Sequence, residues 1–247
     1  MQDEANEGTP RPRINLFLYK GKFSSGKKVE AGGDLFEDYL LTYHEEDFIP
    51  IRERFNKNRK SSFDQIMINY LLSIGLQNEE CLDILAVWQT LIDFNGGILS
   101  HGPDKTIERV RIYHSRELPP FKDIRITNFE NKELLECTEI AVITNDLLSY
   151  AGYNSFFADG VTYPQPDNPD GHNFVIIRSK TDPTKYIFID NSFHALSPKN
   201  NQNPQIRLPF CSILSSNQII SLEDGDNIIC SFLGQDHVYR IGLPYWS

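Results

Sequence analysis

Two apolar runs separated by four turn-forming residues constrain this chain more than any other feature. His172 to Ser179 (HNFVIIRS) and Tyr186 to Asp190 (YIFID) are rich in β-branched and aromatic residues, with Thr181-Asp182-Pro183-Thr184 between them. That pattern predicts two antiparallel strands joined by a turn. His172 opens the first strand and Asp190 ends the second, so the turn brings their side chains within reach of each other.

The segment before these strands supplies a third group. Residues 137–151 (CTEIAVITNDLLSYA) carry Ile140, Ala141, Ile143, Thr144, Leu147, Leu148 and Ala151 on one side at helical spacing, and Gly152 is suited to terminate them. Cys137 then stands at a helix start. A thiol acts as a nucleophile through its thiolate, which a helix N-terminus and a neighbouring imidazolium both favour. The imidazole in turn needs a polar group to orient it. Cys137, His172 and Asp190 meet those needs in order and form the candidate catalytic triad. If Asn131 capped the helix, Cys137 would lie inside it and lose the field of the helix end. The start is therefore placed near Glu136. The backbone N–H of Cys137 is one expected oxyanion donor; Trp88, Asn128 and Asn131 are candidates for the second.

Other pairings carry less. His194 competes with His172 as base but reads as a loop residue. Cys211 with His237 is a conceivable dyad, yet Phe210-Cys211-Ser212 reads as core, as do Cys81 and Cys230. The four cysteines include no CxxC pair, so no metal site is expected, and they do not make a disulfide scaffold. Gly21-Lys22-Phe23-Ser24-Ser25-Gly26-Lys27-Lys28 nearly spells a phosphate-binding loop. It places Lys28 where a hydroxyl is needed and is followed by a poor helix start, so it reads as a surface loop. No cofactor is expected.

The N-terminal half is mainly helical. Ser61-Ser62 is expected to cap a helix carrying Phe63, Ile66, Met67, Tyr70, Leu71 and Ile74, ended by Gly75. Asn78 caps the next, with Leu82, Leu85, Trp88, Leu91 and Ile92 as its stripe and Asn95-Gly96-Gly97 as its end. Ile14–Tyr19, residues 108–116 and residues 122–128 read as strands or extended pieces. Residues 163–171 read as a loop. QIISL, NIICSFL and HVYRIGL read as short strands, with Asp224-Gly225 as a turn. Helices in front and strands behind give an α+β class. Residues 1–13 are expected to be a disordered lead and 14–130 a mainly helical part. Residues 131–247 then hold the nucleophile helix and an antiparallel sheet, in one unit with the preceding part.

A net charge of −10 over 247 residues disfavours nucleic acid and anionic membranes as partners. Lys57-Asn58-Arg59-Lys60 reads as a solvated turn. No sequence segment resembles a signal peptide or a membrane span. The expected compartment is the cytoplasm, with export by a route that reads no such signal left open.

Together, Cys137-Thr138-Glu139-Ile140-Ala141, Leu147 to Tyr153, Gly171-His172-Asn173-Phe174-Val175-Ile176 and Tyr186-Ile187-Phe188-Ile189-Asp190 resemble the core of the transglutaminase-like superfamily of papain-like cysteine enzymes. The resemblance covers about residues 130–195. Glycines often precede the nucleophile in that family, where this chain has Leu134-Leu135-Glu136. The resemblance implies a nucleophile helix packed on an antiparallel sheet. It also implies acyl transfer from carboxamides of protein or peptide substrates, as protease, glutamine deamidase or transglutaminase. Cys137-Thr138-Glu139 also meets the Cys-x-Glu context of arylamine acetyltransferases, and a non-catalytic binding module is a further alternative.

Overall fold

Phe48, Ile51 and Phe55 recur at helical spacing and turn one face of the first helix, α1 (Glu45–Asn58), fully into the core. The sequence reading passed over this helix, because Pro50 sits in its second turn and breaks the usual pattern. The computed structural model describes residues 28–30, 40–42, 45–97, 99, 126–165, 168–196, 207–220, 226–233 and 235–241. Within these the chain is α+β. Ile14–Tyr19, residues 108–116, residues 122–125, Asp224-Gly225 and most of the phosphate-loop-like segment lie outside the described residues.

Helix α2 (Gln65–Ser73) is capped by Asp64, whose Oδ1 accepts the Ile66 N–H at 2.8 Å, rather than by Ser61-Ser62. Helix α3 (Asn78–Asn95) begins one residue earlier than expected. Gln77 is its cap, and Glu80 Oε2 accepts the Gln77 N–H at 3.0 Å. Most of α3 is buried, but Leu82 faces outward. Its end at Gly96 has φ of 78°, and an added Cβ there would lie 2.9 Å from Asn131 Cα. Only glycine suits both that backbone and that approach. Residues 126–128, expected to be extended, instead form a short 3-10 turn, Ile126–Phe129, with its two apolar ends buried.

Helix α4 (Cys137–Tyr150) is buried along Thr138–Leu148, as befits a helix covered on all sides. After it come β3 (Ser155–Gln165), β4 (Asn168–Arg178), β5 (Lys185–Leu196), β6 (Arg207–Ser215), α5 (Ser216–Ile220), β7 (Asn227–Phe232) and β8 (Gln235–Ile241). The six strands form one antiparallel sheet in the order β6-β5-β4-β3-β8-β7. A separate pair, β1 (Lys28–Glu30) and β2 (Leu40–Thr42), is also antiparallel. Two expectations change here. Of the Pro-rich stretch 163–171, the described residues 163–165 and 168–171 are strand, and Gln165 pairs with Asn168. Gln218-Ile219-Ile220 is helical, not extended.

Strand alternation divides the core. Phe157, Val175, Ile177, Ile187, Ile189 and Cys211 pack with the helices in one cluster, which therefore joins both halves of the chain. Ala158, Phe174, Ile176, Phe188, Phe210 and Tyr239 face the other way into a second cluster. The sheet curls until its outer strands meet: Phe210 of β6 and Phe232 of β7 stack with centroids 4.4 Å apart. No helix among the described residues is long and apolar enough to cross a membrane.

Candidate active site

Cys137 is the first residue of α4, and Glu136 is its cap in extended backbone. Glu139, itself fully buried, reaches back and accepts the Glu136 N–H through Oε2 at 3.2 Å. The approach to the helix is pinned from α3. The N–H groups of Asn131, Glu133 and Leu135 donate to Phe94 O (2.8 Å), Asn95 O (2.7 Å) and Asn95 Oδ1 (3.2 Å). Leu134-Leu135-Glu136 thus forms a fixed lead into the helix, and Asn131 lies before it with φ of 57°, not at its cap.

Four buried polar residues fasten α4 to four neighbours. Thr138 Oγ1 donates to Asn173 Oδ1 of β4 at 2.6 Å, and Asn191 Nδ2 of β5 donates to Thr144 Oγ1 at 3.0 Å. Ser155 Oγ of β3 donates to Asn145 Oδ1 at 2.6 Å. Arg52 of α1 grips Asp146 with two hydrogen bonds, Nε to Oδ2 at 2.9 Å and Nη2 to Oδ1 at 2.5 Å. Apolar packing alone would let a helix slide; these bonds fix its register.

His172 is the fifth residue of β4, and Asp190 lies inside β5 just before the register shifts against β6. Both were expected at strand ends. The ladder joining β4 to β5 runs from Arg178–Tyr186 to Val175–Ile189. Continuing that register sets Phe174 opposite Asp190 and His172 opposite Ser192, so His172 and Asp190 are diagonal neighbours on one face. His172 Nε2 lies 2.7 Å from Asp190 Oδ2. The carboxylate accepts, so Nε2 carries the proton and Nδ1 is the nitrogen left for other chemistry. The Cys137 thiol is within hydrogen-bonding reach of the same ring.

The carboxylate of Asp190 is saturated with donors. Its Oδ1 accepts the Ser192 N–H at 3.1 Å and the Ser192 hydroxyl at 2.5 Å, while Oδ2 accepts the Tyr239 hydroxyl at 2.9 Å as well as His172. Ser192 Oγ also stands 3.1 Å from His172 Nε2. Burial opposes ionisation of Asp190, but the His172 charge and the bonds from His172, Ser192 and Tyr239 outweigh it and lower its pKa. Burial likewise opposes the charged ring of His172, yet Asp190 and Cys137 push its pKa up to about 10. Together these groups can hold an imidazolium beside a sulfur and return its proton.

The remaining candidates fall elsewhere. Trp88 is buried in the helical core, Asn128 is half-buried in the 3-10 turn, and Asn131 is exposed. Cys211 packs on the helix side of the sheet, whereas His237 packs against Phe210 and Phe232, so they form no dyad. His194 lies in β5 opposite Pro209, not in a loop. Arg59 pairs with Asp83, and Asn58 is buried against Thr90 and Asp93, so the short basic run is in part structural. Among the described residues no group of three His, Cys, Asp or Glu is placed to hold a metal ion.

Ser192 and Tyr239 are the site residues that the sequence did not reveal. Ser192 could have been suspected, since Asp-x-Ser lets a hydroxyl fold back on a carboxylate two residues earlier. Tyr239 carries no local signal. Compared with known proteins, the chain matches no family model, no curated protein and no solved structure.

Proposed function

We propose that this protein is a cysteine-dependent acyl-transfer enzyme acting on carboxamides of protein or peptide substrates, on a papain-like, transglutaminase-like core. One observation carries the reading. A partly exposed cysteine at a helix N-terminus stands beside a histidine whose far nitrogen is held by a buried, fully bonded carboxylate.

In this reading Cys137 Sγ attacks the carboxamide carbon, and the carbonyl oxygen takes up the negative charge facing the Cys137 N–H. His172 Nδ1 gives its proton to the departing nitrogen, the C–N bond breaks, and a thioester remains on Cys137. His172 then removes a proton from the acceptor, water or an amine, as it attacks the thioester and releases the thiolate. Asp190 holds the ring in one tautomer throughout. Water gives hydrolysis or deamidation, and an amine gives transamidation. The net negative charge favours partners other than nucleic acid. The compartment we assign is the cytoplasm, from the sequence alone.

The test is mass spectrometry of a protein and peptide pool after incubation with wild-type protein or Cys137→Ala. New termini, amide-to-acid conversion or new crosslinks should appear only with the wild type. Identical spectra for the two proteins, across pools from several sources, would refute the reading.

A further inference from the structure

We propose that Tyr239 is a positioning residue of this site, which locks the Asp190 carboxylate in place and moderates its hold on the His172 ring. The inference rests on the acyl-transfer reading above. The Tyr239 hydroxyl donates to Asp190 Oδ2 at 2.9 Å, and that oxygen is also the one that meets His172 Nε2 at 2.7 Å. Oδ1 is occupied by Ser192. The carboxylate therefore cannot rotate without breaking bonds on both of its oxygens.

Packing explains the ring of Tyr239 but not its hydroxyl. The ring lies among Phe188, Phe174 and Phe210, at centroid distances of 4.5, 5.3 and 5.9 Å, and 6.1 Å from the His172 ring. A phenylalanine would fill the same space. A hydroxyl taken from water into such surroundings is unfavourable unless it is bonded, and this one is directed at the charged group behind the candidate base. Burial and the Asp190 charge push the phenol far above its ordinary range, so it stays a proton donor.

An oxygen shared by two donors pulls less on each than an oxygen serving one. Tyr239 thus keeps Asp190 ionised in a buried place while weakening its attraction for the imidazolium. The titratable groups facing this centre from the packed elements are Cys137 on α4, His172 on β4 and Cys230 on β7, and Cys211 of β6 feels the Asp190 charge from the helix side of the sheet. Burial raises the Cys211 and Cys230 thiols, which stay neutral.

The experiment follows the rate of Cys137 alkylation by iodoacetamide against pH. The proteins compared are wild type, Tyr239→Phe, a chain with 3-fluorotyrosine at position 239, and His172→Gln. Loss of the hydroxyl should move the alkaline transition of the rate upward by about one pH unit, the scale of one hydrogen bond to a charged group. The fluorinated phenol is a stronger donor of nearly the same shape and should move it downward. Opposite shifts do not come from packing. Coincident transitions for the three side chains at 239, with the transition abolished in His172→Gln, overturn the role of Tyr239 alone. A His172→Gln profile identical to wild type overturns the pairing of Cys137 with His172, and the role of Tyr239 falls with it.

Discussion

Thr138 Oγ1 donates a 2.6 Å hydrogen bond to Asn173 Oδ1, and each partner is the chain neighbour of a candidate catalytic residue. Thr138 follows Cys137 and Asn173 follows His172, so this one bond sets how the helix end meets the strand. Thr138→Val keeps the shape and removes the hydroxyl that donates to this buried amide oxygen. It should lower stability by about 1–3 kcal/mol. The rate of Cys137 alkylation should fall more than the stability loss explains. Denaturant titration and alkylation of the folded protein check the two effects separately.

The four thiols should differ sharply in reactivity. Cys137 is partly exposed, whereas Cys81, Cys211 and Cys230 are buried. Burial raises the Cys81 thiol to about 11 and raises the Cys211 and Cys230 thiols further. Intact-mass measurement should show one label on the native protein and four after denaturation. Labels spread evenly among the four cysteines of the native protein would count against an activated Cys137.

Stability should fall on the alkaline side for an identifiable reason. His172 has an ordinary value of 6.5 and reaches about 10 when folded. A raised folded value means that the folded state holds the proton more tightly. The stabilisation is then whole below about pH 6.5 and is lost as pH rises from there through about 10. Asp190 behaves oppositely, because its folded value lies below 3.8; its contribution holds above that pH and is lost as pH falls through its lowered folded value. His172→Gln should flatten the alkaline loss and, by removing the charge that lowers Asp190, move the acid loss to higher pH. Denaturant midpoints measured from pH 6 to 10.5, a range set by those values, check the alkaline part.

Arg52→Ala tests whether α1 holds the nucleophile helix. Asp146 is almost fully buried and would lose the cation that pairs with its charge. The expected cost is about 2 kcal/mol, below that of a fully buried pair because Arg52 is partly exposed. The pH profile of Cys137 alkylation should stay as in the wild type, since Arg52 does not touch the candidate triad.

Gly160 pairs across β3 and β4 with His172. A Cβ there would collide with the Arg240 carbonyl and come within 2.8 Å of Phe174 Cε1. Gly160→Ala should therefore cost about 1–3 kcal/mol through overpacking. It should also slow alkylation of Cys137, because Phe174 is two residues along the strand from His172. A melting temperature and rate equal to wild type would show that the two strands yield freely.

How much of this was legible in the sequence depended on how local the signal was. Cys137, His172 and Asp190 could be picked out as candidates because each stands in a short segment with a clear period: a helix stripe, then two alternating strands around a turn. The helix start near Glu136 could be inferred too, though not its cause, since the bonds that pin Leu135 come from Asn95, forty residues earlier. Prolines misled twice. Pro50 hid α1, and Pro164 and Pro169 made strand residues look like loop. Those prolines fit because the hairpin arm there extends beyond the ladders to β5 and β8. Residues 126–128 were misread as extended, although the spacing of Ile126 and Phe129, three apart and both buried, is that of a 3-10 turn. Tyr239 lies 49 residues beyond the carboxylate it serves, and no local pattern announces such a pairing.

Strand β8 is the last described strand in the sequence but occupies an interior place in the sheet, between β3 and β7. Synthesis therefore delivers the thiol, the imidazole and the carboxylate well before the phenol that completes their surroundings. In that interval β3 lacks its partner at Gly160–Thr162, and Asp190 lacks one of its donors. A growing chain on the ribosome therefore holds Cys137, His172 and Asp190 in an unfinished setting until β8 takes its place between β3 and β7.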